Sequence, residues 1–169
     1  MASSSELSSR EVEAFAVSSS SYALLQYSLL CLSRVIILQL FYTNYPEWVV
    51  AQFATAKIGA IQVNVNPAYR TNELQYALAQ SGCRMLVTRT SHLTSAYRDM
   101  VDEVCTELPD LERVVYFDTD DWNDLIDRGK DVSDERLAEV GASLTATDPI
   151  NIQYTSGTTG YPKGANLSH

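Results

Sequence analysis

This sequence predicts an α/β protein built on a partial, doubly wound parallel sheet with flanking helices, and three observations carry that prediction. From Asn44 onward, segments with helical spacing of apolar residues alternate with short apolar strands. The breaks between them fall at Gly, Pro and Asn, and the connections are short. Strands joined through helices in this way lie parallel, because each crossover helix must cover one face of the sheet.

The elements follow in order. A first strand is expected at the end of the apolar run over 22–41, within RVIILQLFYTNYPEW and followed by a crowded loop. Asn44 caps a helix with Pro46 and Glu47 in its first turn, Val49, Val50, Phe53 and Ala54 as its apolar stripe, and Gly59 at its end. A strand through Ala60, Ile61, Val63 and Val65 breaks at Asn66-Pro67. Thr71 is expected to cap the second helix, which carries Leu74, Ala77 and Leu78 on one face and closes at Gly82. In that frame Leu74 stands where a capping box needs Glu or Gln. Residues 84–88 form the next strand. A third helix over 95–107 places Tyr97, Met100, Val101, Val104 and Cys105 at spacings of three and four, so Cys105 is expected in the core. Pro109 stops that helix, and 113–117 is a β-branched and aromatic strand.

Residues 118–135 hold eight acids, Asp118, Asp120, Asp121, Asp124, Asp127, Asp131, Asp134 and Glu135, against Arg128 and Lys130. A calcium loop is excluded by spacing: a frame starting at Asp118 puts Trp122 at the fifth position, and one starting at Asp121 puts Leu125 there. The segment reads as a solvated loop with one or two short helices.

Composition narrows the function. Of 169 residues, 46% are hydrophobic, enough for a real core, and 12 Lys plus Arg against 21 Asp plus Glu give a net charge of −9. That balance repels nucleic acid. Cys31, Cys83 and Cys105 are odd in number and far apart, which fits a reducing compartment rather than a disulfide framework or zinc knuckle. The cytoplasm is the expected location, with a peripheral membrane or organellar setting left open. His92 and His169 are too few for a His-rich site, so no metal held by protein ligands alone is expected.

The first 21 residues contain nine serines and read as a disordered leader. Glu6, Glu11 and Glu13 argue against an organellar presequence, and no basic start precedes a short apolar run. Residues 22–41 are apolar over twenty positions, but Gln26, Ser28, Ser33, Arg34 and Gln39 interrupt them. A buried helix followed by a buried strand is expected there in preference to a membrane span.

The chemistry concentrates near the C-terminus, where Pro149 precedes a strand over 151–154 and then YTSGTTGYPKG. Gly157, Gly160 and Gly164 let the backbone turn and bring its N–H groups to an anion. Thr155, Ser156, Thr158 and Thr159 add hydroxyl donors, and Lys163 adds a mobile positive charge. Phosphate is the natural ligand for that set. A Walker A loop is excluded: in the frame starting at Gly157, Pro162 replaces its second glycine and Gly164 its magnesium-binding hydroxyl. A Gly/Ser/Thr-rich linker between strands is the alternative, and such linkers rarely combine spaced glycines, hydroxyls and Pro-Lys-Gly.

This segment resembles the phosphate-binding signature of the adenylate-forming (AMP-binding) enzymes, meeting each position of Tyr/Phe-Thr-Ser-Gly-Ser/Thr-Thr-Gly-x-Pro-Lys-Gly with Tyr161 at the free one. The stretches NYPEWVVAQFATAKIGAIQVNVNPAYR and DPINIQYTSGTTGYPKGANLSH are similar to the fatty-acyl-CoA ligase branch. The resemblance implies an incomplete AMP-binding domain over 34–169, part of the large N-terminal domain of such an enzyme, preceded by 1–33 of unclear role. It implies a fatty acid, ATP and coenzyme A as substrates, and Mg2+ with ligands outside this chain. A fatty-acid carboxylate would attack the α-phosphate of ATP, and the coenzyme A thiol would then displace AMP. In that scheme Thr155, Ser156, Gly157, Thr158, Thr159, Gly160, Lys163 and Gly164 hold the phosphates, with Lys163 catalytic. The family's adenine contacts, magnesium-holding glutamate and mobile C-terminal domain lie downstream of His169, so the chain reads as a fragment. The alternative is an inactive remnant that binds nucleotide phosphate or a partner chain.

Overall fold

The computed structural model describes residues 36–40, 46–155 and 162–168. Strand β1 (Ile36–Leu40) is followed by helix α1 (Pro46–Ile58), strand β2 (Ile61–Val65), helix α2 (Thr71–Ser81) and strand β3 (Met85–Thr88). Helix α3 (Tyr97–Val104), which tightens into a 3-10 turn over Cys105–Glu107, leads to strand β4 (Arg113–Tyr116). Then come α4 (Asp120–Asp127), a 3-10 turn (Arg128–Asp131), α5 (Asp134–Ala142), and strands β5 (Pro149–Thr155) and β6 (Lys163–Ser168).

The six strands form one sheet in the order β4-β3-β1-β2-β5-β6. The first four pairings are parallel, and β5 pairs with β6 antiparallel. The chain therefore steps outward from β1 to one side, crosses to the other, and returns to β5 through α4 and α5. The doubly wound α/β fold is present, with a hairpin at the edge that sequence analysis treated as a loop.

Alternation along the strands builds two cores, one on each face. Met85, Val87, Val115 and Phe117 meet Val50, Ala51, Ala54 and Ile58 of α1, together with Trp122, Leu125, Ile126 and Leu137 from α4 and α5. Val63, Val65 and Leu86 meet Leu74, Ala77 and Leu78 of α2 and Val101 and Val104 of α3. Helices thus lie on both faces, as a parallel sheet requires.

Several expectations need correction. The buried stripe of α1 is Val50, Ala51, Ala54 and Ile58, whereas Val49 and Phe53 are exposed. This helix is apolar on nearly every side, so spacing alone could not choose its inward face. Arg70, not Thr71, occupies the N-cap of α2, and in that frame Glu73 falls at the third position and accepts a hydrogen bond from the Arg70 N–H at 3.1 Å. The Glu73 half of a capping box is present after all, although a guanidinium has no acceptor with which to return the bond. Gly82 ends α2 at φ +62°, the left-handed backbone that a helix terminus of this type uses.

Cys105 is exposed rather than in the core. The inward row of α3 runs Tyr97, Val101, Val104 and then Leu108, and the tightening to a 3-10 turn at residue 105 leaves Cys105 off that row. The acidic segment forms short helices as expected, but its apolar residues are buried rather than solvated. Thr119 Oγ1 caps α4 by accepting from Asp121 N–H, Asp120 and Asp121 suit the positive end of the helix, and Trp122, Leu125 and Ile126 face the core.

The capping residue expected at Asn44, the serine-rich leader and the apolar stretch before Ile36 lie outside the described residues. Among the described residues, no helix is long and apolar enough to cross a membrane.

Candidate functional site at the β5–β6 hairpin

The phosphate-binding signature spans the hairpin that closes the sheet. Thr155 is the last residue of β5 and Lys163 the first of β6, and the two are register partners. Thr155 Oγ1 lies 3.4 Å from the Lys163 carbonyl oxygen. Both side chains are exposed, and Lys163 has no ion pair among the described residues. Thr155 and Lys163 therefore oppose one another at the edge where β5 ends, both exposed, with the Thr155 hydroxyl donating to the Lys163 carbonyl. Ser156, Gly157, Thr158, Thr159 and Gly160 lie outside the described residues.

One step back along the strands, Tyr154 faces Gly164. The Tyr154 hydroxyl donates to Gln80 Oε1 at 2.9 Å and lies 3.3 Å from the Ala77 carbonyl oxygen, so the base of the hairpin is tied to the end of α2. Burial, with the neighbouring Tyr76, Tyr69 and Cys83 adding to it, pushes the Tyr154 phenol up to about 12, so it stays protonated at neutral pH. Gly164 sits in a strand rather than a turn. A Cβ there would stand 2.9 Å from Ile152 Cγ2 and 3.6 Å from the Tyr154 ring, so this glycine has a packing reason that its sequence context did not reveal.

Behind Thr155, on the opposite face from Tyr154, runs a set of carboxamides that sequence analysis missed. Gln62 pairs in register with Asn151, and Asn64 with Gln153. Gln62 and Asn151 are buried, at 1% and 7% exposure, and Asn64 and Gln153 are half-buried. Gln62 Nε2 donates to Asn64 Oδ1 at 2.8 Å, and Gln153 Nε2 donates to Asn151 Oδ1 at 2.8 Å. Thr55 of α1 places its hydroxyl 3.3 Å from Gln62 Oε1. The signal was available: Ile61-Gln62-Val63-Asn64-Val65 and Ile150-Asn151-Ile152-Gln153 alternate apolar and polar, which is unusual for central strands covered on both faces.

Among the described residues, no group of three or more His, Cys, Asp or Glu could hold a metal ion.

A parallel sheet ending in this hairpin places the chain, by fold, with the N-terminal domains of the adenylate-forming ligases. It superimposes on the anthranilate CoA ligase AuaEII in complex with anthranoyl-AMP at TM-score 0.71 and 24% identity, covering 92% of this chain and 28% of that one. The N-terminal domain of FACL13 from Mycobacterium tuberculosis gives TM-score 0.70 at 20% identity, covering 92% of this chain and 37% of that one. The chain belongs to the AMP-binding enzyme family, whose model matches residues 34–169. Its relatives are acyl-CoA ligases. The mitochondrial medium-chain acyl-CoA ligase ACSF2 of Danio rerio is 41% identical over 144 residues, and its Mus musculus counterpart 40% over 147, each covering 75% of this chain. The chain spans 24% of the length of each of these two relatives.

Proposed function

We propose that this chain is the phosphate-binding part of a fatty-acid–CoA ligase, in which it stabilises the pyrophosphate leaving group of the adenylation step. The observation that carries the reading is the pairing of Thr155 with Lys163 at the two ends of the signature, both exposed at the edge where β5 ends. Open α/β sheets bind ligands in the crevice outside the carboxyl ends of their strands, and this is such an edge.

In the proposed reaction a fatty-acid carboxylate oxygen attacks the α-phosphorus of ATP, the bond to the β-phosphate oxygen breaks, and pyrophosphate leaves. Coenzyme A sulfur then attacks the acyl-adenylate carbonyl and AMP departs. The leaving pyrophosphate gains negative charge, and a fixed ammonium group with hydroxyl and backbone N–H donors counters it where water is scarce. Lys163 supplies that charge, and Thr155, Ser156, Gly157, Thr158, Thr159, Gly160 and Gly164 supply donors or the backbone room for them. Mg2+ would bring further charge neutralisation, but the described residues offer no cluster to hold it.

Since the Danio rerio and Mus musculus relatives are named medium-chain ligases, medium-chain acids are the first substrates to try. The scattered cysteines support a reducing compartment, which we take to be the cytoplasm. Isothermal titration of the purified chain with inorganic pyrophosphate and with ATP tests the reading. Saturable binding of both, lost in Lys163→Ala, is expected; absence of binding by the unmodified chain would overturn it.

A further inference from the structure

The carboxamides of β2 and β5 take no part in the proposed phosphate chemistry, yet burying them is costly. An amide moved out of water without full pairing is penalised, and the middle of a parallel sheet is ordinarily apolar. Here four amides occupy one face of two adjacent central strands, and two of them are almost fully buried.

Their arrangement has a direction. Asn151, Gln153 and Thr155 are spaced by two along β5 and so share a face, with Thr155 at the carboxyl end. Asn64 lies beside Gln153 in register, so the two strands carry their amides at one level. Gln62 donates toward that level to Asn64, whereas Gln153 donates away from it to Asn151. The half-buried head of the set is therefore Asn64 and Gln153, one residue pair behind Thr155 and Lys163. Tyr154 holds the other face of the same strand end against α2. On the other face Gln153 is fixed to Asn151 along its own strand, so the backbone leading into Thr155 is braced on both faces.

We infer that Asn64 and Gln153 are positioning residues that hold Thr155, and through its pairing Lys163, in the geometry that meets the phosphates. The inference rests on the proposed phosphate-binding role of those two residues. It goes beyond it by assigning a task to side chains that touch no phosphate themselves.

The test compares Asn64→Leu and Gln153→Met with the unmodified chain, reading pyrophosphate affinity by titration calorimetry and melting temperature without ligand. Asn64→Leu leaves the buried Gln62 amide N–H without its Asn64 acceptor and Gln153→Met leaves the buried Asn151 Oδ1 without its Gln153 donor, so the melting temperature should fall modestly, and affinity is read at a temperature where every variant is fully folded. Pyrophosphate should bind about fivefold to tenfold more weakly, the worth of about one well-formed hydrogen bond. Gln153→Asn, which keeps an amide, should recover part of the loss. Unchanged affinity in both apolar variants overturns the inference and leaves the phosphate-binding reading standing. A lowered melting temperature with unchanged affinity overturns it too, since the amides would then serve stability alone. Failure of the unmodified chain to bind pyrophosphate overturns both readings together. If the apolar variants do not fold, Asn64→Ser and Gln153→Ser carry the same comparison.

Discussion

Tyr154 and Gly164 oppose one another across the β5–β6 pairing, and a Cβ on Gly164 would stand 3.6 Å from the Tyr154 ring and 2.9 Å from Ile152 Cγ2. The ring lies over the glycine, and its hydroxyl reaches on to Gln80 at the end of α2. One glycine of the signature is thus fixed by packing at the root of the hairpin.

Gly164→Val should therefore destabilise the chain through overpacking, by about 1 to 3 kcal/mol. For a chain of this size that corresponds to a fall in melting temperature of roughly 2 to 12 °C. Gly164→Ala should cost less than Val because it adds one methyl group rather than three carbons, although Ile152 Cγ2 must still shift to admit it. Thermal unfolding followed by circular dichroism reads both, and a Gly164→Val variant that melts at the same temperature as the unmodified chain would contradict the packing role.

Tyr154→Phe removes the hydrogen bond to Gln80 while keeping the ring, and should cost about 0.5 to 1.5 kcal/mol. The phenol also makes a pH prediction. Its folded value of about 12 lies above the ordinary 10, so the folded state retains a proton that the unfolded state has lost between those values. Its contribution is complete below pH 10 and fades as pH rises toward 12. Urea unfolding at several alkaline pH values should show this loss in the native chain and a shallower one in Tyr154→Phe.

Asp118 gives the acid counterpart. Burial pushes its carboxyl up, but hydrogen bonds from the Thr90 hydroxyl (2.7 Å) and N–H (2.9 Å), its own backbone and the Arg89 charge outweigh this and hold it below the usual carboxylate value. A lowered carboxyl value means stability that is present above the ordinary carboxylate range and is lost as pH falls through the folded value. Asp118→Asn should lower stability at pH 7 by about 1 kcal/mol and leave little difference in strong acid. Equal unfolding midpoints for the two proteins at pH 7 would remove Asp118 from the set of groups that tie β4 to the loop after β3.

The fold was legible where punctuation and periodicity agreed. Leu74, Ala77 and Leu78 fall inward as spacing requires, and Gly82 ends their helix in the left-handed conformation. It was illegible where a helix is apolar all round, as at Val49 and Phe53, and where a helix tightens at its end, as at Cys105. The signature could be read from residue types alone, because glycines, hydroxyls and one lysine in a short run have a common chemistry. Its supports could be read only in part: the polar alternation of β2 and β5 was visible, but the Tyr154 contact with α2 joins residues 74 apart, and the amide pairs depend on a register between strands far apart in the chain. Strand β6 also escaped notice, since KGANLS has little β-branching and owes its form to pairing with β5.

Lys163 carries the sharpest catalytic expectation. It is the only cation between residues 154 and 169, it is exposed, and it stands opposite Thr155 where the signature rejoins the sheet. In a complete ligase carrying this segment, pyrophosphate gains negative charge as its bond to the α-phosphorus breaks, so an ammonium group placed there acts more strongly on the transition state than on bound ATP. Lys163→Ala should therefore slow adenylate formation as well as weaken ATP binding, while thioester formation from a supplied acyl-adenylate stays near its original rate. A well-oriented donor in a water-poor site is worth about 3 to 4 kcal/mol, a slowing of about a hundredfold to a thousandfold. Lys163→Arg keeps the charge but changes its shape from a compact ammonium to a planar fork, and should fall between the two. Pyrophosphate exchange measures the first step by itself. Exchange at the original rate in Lys163→Ala, with only the coenzyme A step slowed, would show that this lysine acts after adenylate formation; both steps at the original rate would show that it points idly into solvent.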